Sequence, residues 1–540
     1  MNKNNKLGII IAVVAIIVII IGIAVYSSKK HSQLVEAVKK RTTLIVAFSE
    51  MPQSLNPVLE HNETGLILQD LIFDGMTNLT GERVDDYQLG LAIDLIQDAK
   101  KLNIYTAELR NNIIWHDDPE HKVTAADVKF TFDCIMKESN NSPLRGRISR
   151  LIKNIEVVSD LELKVTFHEA IAPGRVAWVL PFKIIPATYY GKEMSIDLLN
   201  DDVAKEFSKS PVGTGPFKFE KWQGNEIVLN NKNLPALNES DLDEESAKKE
   251  NRIRRIETIL VHDLKKQAKM LIDNKIDMIL QTDPDLHKIL DEKTLKFSDY
   301  TPHYFYAVAY NNKSKLFKSN KIRKALSQAI NKEELANTVW PGEVKPYLNK
   351  GTFPHNADTR YEQFRDLLPY NIDKAKKILS RKKIKATMIF PEEAFSTTER
   401  IAGKLAQMYK AAGVEVETKA LGMAFDTQLK NGSYELALVR HDGFTKGYDI
   451  SPLYETNSKE NITGFGSKRF DILLDKWRNT AFWIDKLPLS RKIHEQLLDE
   501  SPYTYLFSLP TRAYYSQKLS DVKIIDPSAL IRSVTKWTVN

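Results

Sequence analysis

Between Leu161 and His168 the chain alternates Leu161, Leu163, Val165 and Phe167 with Glu162, Lys164, Thr166 and His168. A period of two puts the sets on opposite faces of a strand, so a half-buried strand is expected there. The run Thr43-Leu44-Ile45-Val46-Ala47-Phe48 lacks polar alternation and predicts a buried strand, followed by the turn-rich Ser54-Leu55-Asn56-Pro57. Strands also fit Ile256 to Val261, Ile384 to Phe390, Val414 to Glu417 and Tyr434 to Val439. The pattern changes at Ile322, Ala325, Leu326, Ala329 and Ile330, whose spacing is that of a helix face. Strands alternating with helices predict an α/β fold.

Polar residues mark where helices start and stop. Thr124 precedes Asp127 by three residues and Asn331 precedes Glu334 by three, a spacing that satisfies free amides at a helix start. Asn274 follows the apolar run Ala268 to Ile272 where a left-handed residue would end a helix. Residues Asn233 to Arg255 and Lys350 to Tyr370 carry neither period and read as insertions or linkers. No internal repeat is found.

Residues Leu7 to Ser28 carry no charge and are mostly Ile, Val and Ala. That is about the twenty residues a helix needs to cross the hydrocarbon core, so a transmembrane signal anchor over 7–28 is expected, between a cytoplasmic N-terminus (1–6) and a stalk (29–41). A cleavable signal peptide has a shorter apolar stretch; Val25-Tyr26-Ser27 offers a mediocre cleavage site and keeps cleavage open. Lys3 and Lys6 precede the stretch, whereas Lys29, Lys30, Lys39, Lys40 and Arg41 follow it, a balance that alone would hold the C-terminal part in the cytoplasm.

Composition narrows the function. A chain of 540 residues exceeds one hydrophobic core and implies two or three units. The net charge of +7 is spread among interleaved acids, which argues against nucleic acid as a partner. Cys134 is the single cysteine, so intramolecular disulfides and cysteine-based zinc sites are excluded, and its apolar surroundings predict a buried thiol. Gly213-Thr214-Gly215-Pro216-Phe217 lacks the further glycines that open a helix in a nucleotide loop, and its Pro216 and Phe217 lead into strand-like residues, so a tight turn before a strand is predicted. No nucleophile elbow or zinc helix motif occurs, and the eleven histidines lack ligand spacing. His441-Asp442 and Trp115-His116-Asp117-Asp118 join His to acid, but strand neighbours point to opposite faces, so neither is a natural dyad. Binding without catalysis, cofactor or metal is expected.

Several segments, in order, resemble the peptide/nickel-type extracytoplasmic solute-binding proteins of ABC importers, the family-5 group of oligopeptide- and dipeptide-binding proteins. They are Leu44-Ile45-Val46 with Ser54-Leu55-Asn56-Pro57, Ile72-Phe73-Asp74-Gly75-Met76, Leu109 to Asp118, and Val123 to Val128. Pro211 to Phe217, Asn274 to Met278, Ile322 to Asn331, Tyr434 to Leu438 and Phe470 to Leu474 continue the series. The resemblance implies a two-lobed periplasmic-binding-protein fold of the large, cluster C type, closing on its ligand by a hinge near Tyr304 to Asn311 and Tyr505 to Pro510. Lobe I would comprise 42–75, 195–305 and 506–540, with an extra subdomain over 76–194, and lobe II would comprise 306–505. It also implies a monomer outside the cytoplasmic membrane, tethered by the N-terminal helix and delivering peptides to ABC permease subunits. This location overrides the flanking-charge balance.

Matched to the family, lobe I would line the ligand with Glu60, His61, Asn62, Arg145, Arg147 and Gln281, and lobe II with His441, Asp442, Phe444, Tyr448 and Asp449. Peptide binders carry an aromatic-x-x-Asp spacing whose carboxylate pairs with the peptide's amino group. Here Gly447 stands three residues after Phe444, and Phe444 three after His441, so that spacing is missing and Asp442 or Asp449 would substitute. Tyr448-Asp449 is closer to the Tyr-Asp pair of nickel-chelate binders, for which Arg145 and Arg147 would recognise an anion. A peptide ligand, a chelate and a ligand-sensing role beside a membrane signalling partner therefore stay open.

Overall fold

The structure is a computed structural model of the 540-residue chain. It describes all residues except 1–2, 61, 80–86, 172–175, 177–178, 190–191, 235–249, 281–283, 292, 301–303, 341–344, 354–358, 393–396, 443–449, 481–482, 523–531 and 540. Two mixed sheets organise it. The first contains β1 (Thr43–Phe48), β2 (Phe217–Gln223), β3 (Glu226–Asn231), β4 (Arg255–Leu260), β5 (Met278–Ile279) and β6 (Leu295–Tyr300). The second contains β7 (Tyr304–Tyr310), β8 (Lys385–Pro391), β9 (Glu415–Leu421), β10 (Leu436–Asp442) and β11 (Tyr503–Tyr505), after which β12 (Thr511–Ser516) returns to the first. The orders are β2-β3-β4-β1-β5-β12-β6 and β9-β8-β10-β7-β11.

The buried runs form central strands because both faces of each sheet are covered. In β1, Leu44, Val46 and Phe48 enter one core cluster while Ala47 enters another. In β7, Tyr306, Val308 and Tyr310 face one cluster, and Phe305, Ala307 and Ala309 face its counterpart across the sheet. The predicted half-buried strand is Glu162–Phe167, in a separate four-stranded sheet with Ala92–Gln97, Ile104–Leu109 and Ile152–Ser159. Its Leu163, Val165 and Phe167 are fully buried against the helix Ala125–Met136, whose burial also takes in Cys134.

The start and stop signals act as read. Thr124 and Asp127 form a reciprocal capping box, Asn331 accepts from the Glu334 amide at 3.2 Å, and Asn274 has φ 56° after the helix Leu264–Ile272. The glycine-rich turn leads into β2 and lies against the end of the helix Glu63–Ile72. A Cβ on Gly213 would stand 1.8 Å from the Ile72 carbonyl oxygen, and one on Gly215 would stand 2.3 Å from that of Leu71. Only glycine permits this approach. The Gly215 amide donates to Ile72 O at 2.8 Å, the Thr214 hydroxyl to Asp74 at 3.0 Å, and the His116 amide to Gly213 O at 2.9 Å. Three motifs far apart in sequence thus meet at one packing point.

A helix runs over Lys3–Arg41. Among the described residues no helix is long and apolar enough to cross a membrane, and most side chains of residues 3–19 lie outside them. Ile20, Ile21 and Val25 of this helix are exposed.

Candidate ligand cleft between the lobes

The chain passes between the two sheets twice, from Tyr300 to Tyr304 and from Tyr505 to Thr511. Strand direction then determines what faces the crossings. In the first sheet β12 starts at a crossing and β5 runs antiparallel to it, so the carboxyl end of β5 lies there, as do those of β1 and β4, which run parallel to β5 and to each other. In the second, β7 starts at the other crossing and β10 is antiparallel to it, so the carboxyl ends of β10 and its parallel neighbours β8 and β9 face back. Both lobes turn the carboxyl ends of their parallel strands toward the space between them. Ligands of open α/β sheets bind at such ends.

On the lobe I side, the loop after β1 is stiffened by Glu60. Its carboxylate is buried and accepts from the Ser54 amide at 2.8 Å and the Asn62 amide at 2.7 Å. The absence of a side chain on Gly65 leaves room for it, since a Cβ there would stand 2.3 Å from Glu60 Cγ. Asn62 caps the helix Glu63–Ile72, accepting from the Gly65 amide at 3.1 Å. Both residues therefore shape the loop with their polar atoms. His61 and Gln281 lie outside the described residues, Gln281 directly after the lobe I segment that ends β5.

On the lobe II side, His441 stands half-buried near the carboxyl end of β10. Its ring packs against Phe305 at 5.3 Å and Tyr503 at 5.1 Å, among the core residues of one sheet face. Burial holds its pKa down at about 4, so the imidazole is neutral at physiological pH. Asp442 ends β10 opposite Tyr304, with its side chain outside the described residues, as are Phe444, Tyr448 and Asp449 in the segment that follows. Next to them the Arg440 guanidinium lies 4.9 Å over the Tyr304 ring, a cation–π contact at the mouth of the sheet. Met423, just past β9, is fully exposed and gives this rim an apolar contact surface. Neither Arg440 nor Met423 carries a motif that would single it out in the sequence; strand direction alone brings them here.

Arg145 and Arg147 lie elsewhere, on the helix Arg145–Leu151 beside the four-stranded sheet. Arg145 donates from Nε to the Met136 carbonyl at 3.0 Å, at the end of the preceding helix, and stands 3.7 Å from Glu138. Its guanidinium is thus engaged in tying two helices together, and Arg147 is exposed. The Asp-His contact that does form was not anticipated: His121 Nδ1 lies 3.0 Å from both Asp117 oxygens, four residues apart across a turn. Burial pushes the Cys134 thiol up to about 12, an inert protonated state. Among the described residues no group of three or more His, Cys, Asp or Glu side chains is placed to hold a metal ion.

A cleft formed by strand-end loops of two lobes, with a polar and aromatic rim, is suited to holding a solute. Residues 87–462 match the model of the bacterial extracellular solute-binding proteins, family 5. The oligopeptide-binding protein AppA of Bacillus subtilis is 22% identical over 527 residues, covering 92% of this chain and 91% of that protein. Among solved structures, the ABC transporter substrate-binding protein CtaP of Listeria monocytogenes superposes with a TM-score of 0.78 at 20% identity, covering 92% of this chain and 99% of that one. The Bacillus subtilis AppA structure, in complex with a nonapeptide, gives 0.74 at 18% identity, with 92% and 99% covered. With the family model spanning well over half its length, this chain belongs to the family-5 bacterial extracellular solute-binding proteins.

Proposed function

We propose that this protein receives peptides between its lobes, outside the cytoplasmic membrane, and delivers them to the permease of an ABC importer. The observation that carries this reading is the facing of the parallel-strand ends across a double crossing, in a chain of the solute-binding family. Domain closure about two crossing segments is how such a fold traps a ligand. A relative named for oligopeptides, whose structure holds a nonapeptide, favours a peptide as that ligand. Lobe I would take 42–75, 195–305 and 506–540 with 76–194 attached, and lobe II 306–505. Gln281, Asp442, Phe444, Tyr448 and Asp449 would contact the ligand, with Asp442 or Asp449 pairing with its amino group.

The N-terminal helix would keep the receptor on the membrane. Its support is physical: Leu7 to Ser28 is uncharged, is about the length needed to span the hydrocarbon core, and belongs to the helix Lys3–Arg41.

Native mass spectrometry of the full chain, extracted in mild detergent, tests the ligand class. A ladder of short peptides of mixed sequence is the expected companion. A single metal-containing species without peptide would contradict the reading.

A further inference from the structure

Beyond the two crossings, the lobes meet through the helix Pro284–Asp291 of the first lobe. Its Asp285 accepts from Arg400 Nη1 at 2.7 Å. Arg400 belongs to the first turn of the helix Thr397–Ala411, which follows β8 in the second lobe. Two residues further along, His287 lies edge-to-face with Trp340 at a centroid distance of 5.4 Å, both rings buried. His287 also touches Tyr514 of β12 at 5.8 Å, so this apolar contact sits beside the crossing strands. Asp285 lies two residues toward the strand-end side of it, because its helix begins a few residues after β5 ends.

Arg400 is held in aim. Its Nη2 donates to the Val339 carbonyl within lobe II at 3.1 Å, which fixes the planar fork while Nη1 reaches across. Asp285 stands in the first turn of its helix, where the positive end of the helix dipole favours a carboxylate. The pair is partly exposed, with side-chain exposures of 30% for Arg400 and 62% for Asp285. Its contribution is consequently modest and salt-sensitive. A modest contribution is enough to bias an equilibrium between two lobe orientations.

We propose that Asp285 and Arg400 form a latch across the mouth of the lobes, with His287 and Trp340 as its pivot. Arg400 is then a positioning residue: it sets the closed population, and through it ligand retention, without touching the ligand. This rests on the solute-binding reading, deepening it to how the site closes.

The test uses the full chain in detergent, with spin labels on Lys265→Cys and Lys410→Cys, exposed positions in opposite lobes. Cys134 is buried and stays unlabelled. Without ligand, the wild-type background should show a short interlobe distance that Arg400→Glu and Asp285→Asn each deplete. Unchanged distances in Arg400→Glu and Asp285→Asn would overturn the latch. Thermal unfolding of each variant separates loss of the latch from loss of fold. With a mixture of synthetic tri- to pentapeptides, Arg400→Glu should release bound peptide about two- to fivefold faster, the range of an exposed ion pair, with little change in association. If the mixture fails to bind the wild-type chain, the peptide reading falls while the ligand-free distances still decide the latch.

Discussion

Asp299 and Arg512 face each other across the two strands that carry the chain between the lobes. They are register partners in β6 and β12, joined in a two-pronged contact of 2.5 and 2.9 Å, with both side chains about 5% exposed. Arg512 also lies over the Phe297 ring at 3.9 Å and donates toward Asp291 at 3.2 Å. The pair fixes β6 and β12 as one unit at the point where lobe motion must be absorbed, so bending is confined to the crossing residues beyond it.

Removing Arg512 leaves Asp299 buried with its principal partner gone. Arg512→Ala should therefore cost about 3–5 kcal/mol in denaturant unfolding. Arg512→Met paired with Asp299→Leu should recover much of that, because a buried ion pair replaced by apolar volume is often neutral. Equal losses in the single and double variants would show that the charge pair is not the source.

Two histidines make stability depend on acid. His116 and His441 are each held near pKa 4, chiefly by burial, with Lys232 adding to the effect at His116. Their unfolded value is about 6.5. Between those values the unfolded chain binds more protons, so stability falls as pH drops from about 6.5 to 4, by up to about 1.4 kcal/mol per pH unit for each histidine. His441→Phe, suited to the aromatic contacts with Phe305 and Tyr503, should remove one histidine's share of that slope. Unfolding curves at pH 4.5, 5.5 and 6.5 measure it; an unchanged slope would mean that His441 is not buried neutral.

The sequence was most informative where structure is local. The uninterrupted apolar run over Thr43 to Phe48 became β1 with those bounds, and Thr124, Asn331 and Asn274 act at helix ends as their side chains dictate within a few residues. Partnerships over long separations left no such trace. Asp299 and Arg512 are 213 positions apart and neither sits in a motif. The face of β10 that His441 occupies is decided by its register with Phe305, which the resemblance of its segment does not carry. The carboxylate of Glu60 is turned onto its own loop's amides, a choice made by the fold of the nine consecutive residues Ser54 to Asn62.

The convergence of motifs at Gly213 and Gly215 predicts intolerance there. Gly213→Ala places a methyl group against a backbone carbonyl that cannot rotate away. A cost of at least about 1–3 kcal/mol is expected. Gly224→Ala, in open space, should be cheaper despite its φ of 55°. Thermal unfolding of the two variants side by side checks the order; the reverse order would mean that contact with the Ile72 carbonyl does not govern.

Thr124→Ala should cost about 1 kcal/mol through loss of the capping box at the helix Ala125–Met136. Asp127→Ala should cost more, since its carboxylate also accepts from the Ala187 amide at 2.7 Å. Urea unfolding followed by circular dichroism reads both.

The central claim is that solute is held between the carboxyl ends of parallel strands in both lobes. Hydrogen exchange of the full chain, with and without the synthetic peptide mixture, tests it most directly. The account predicts slowed exchange together in residues 49–62 after β1, 392–396 after β8 and 443–449 after β10, with little change in the four-stranded sheet. Protection confined to one lobe, or centred on the helix Arg145–Leu151, would contradict it.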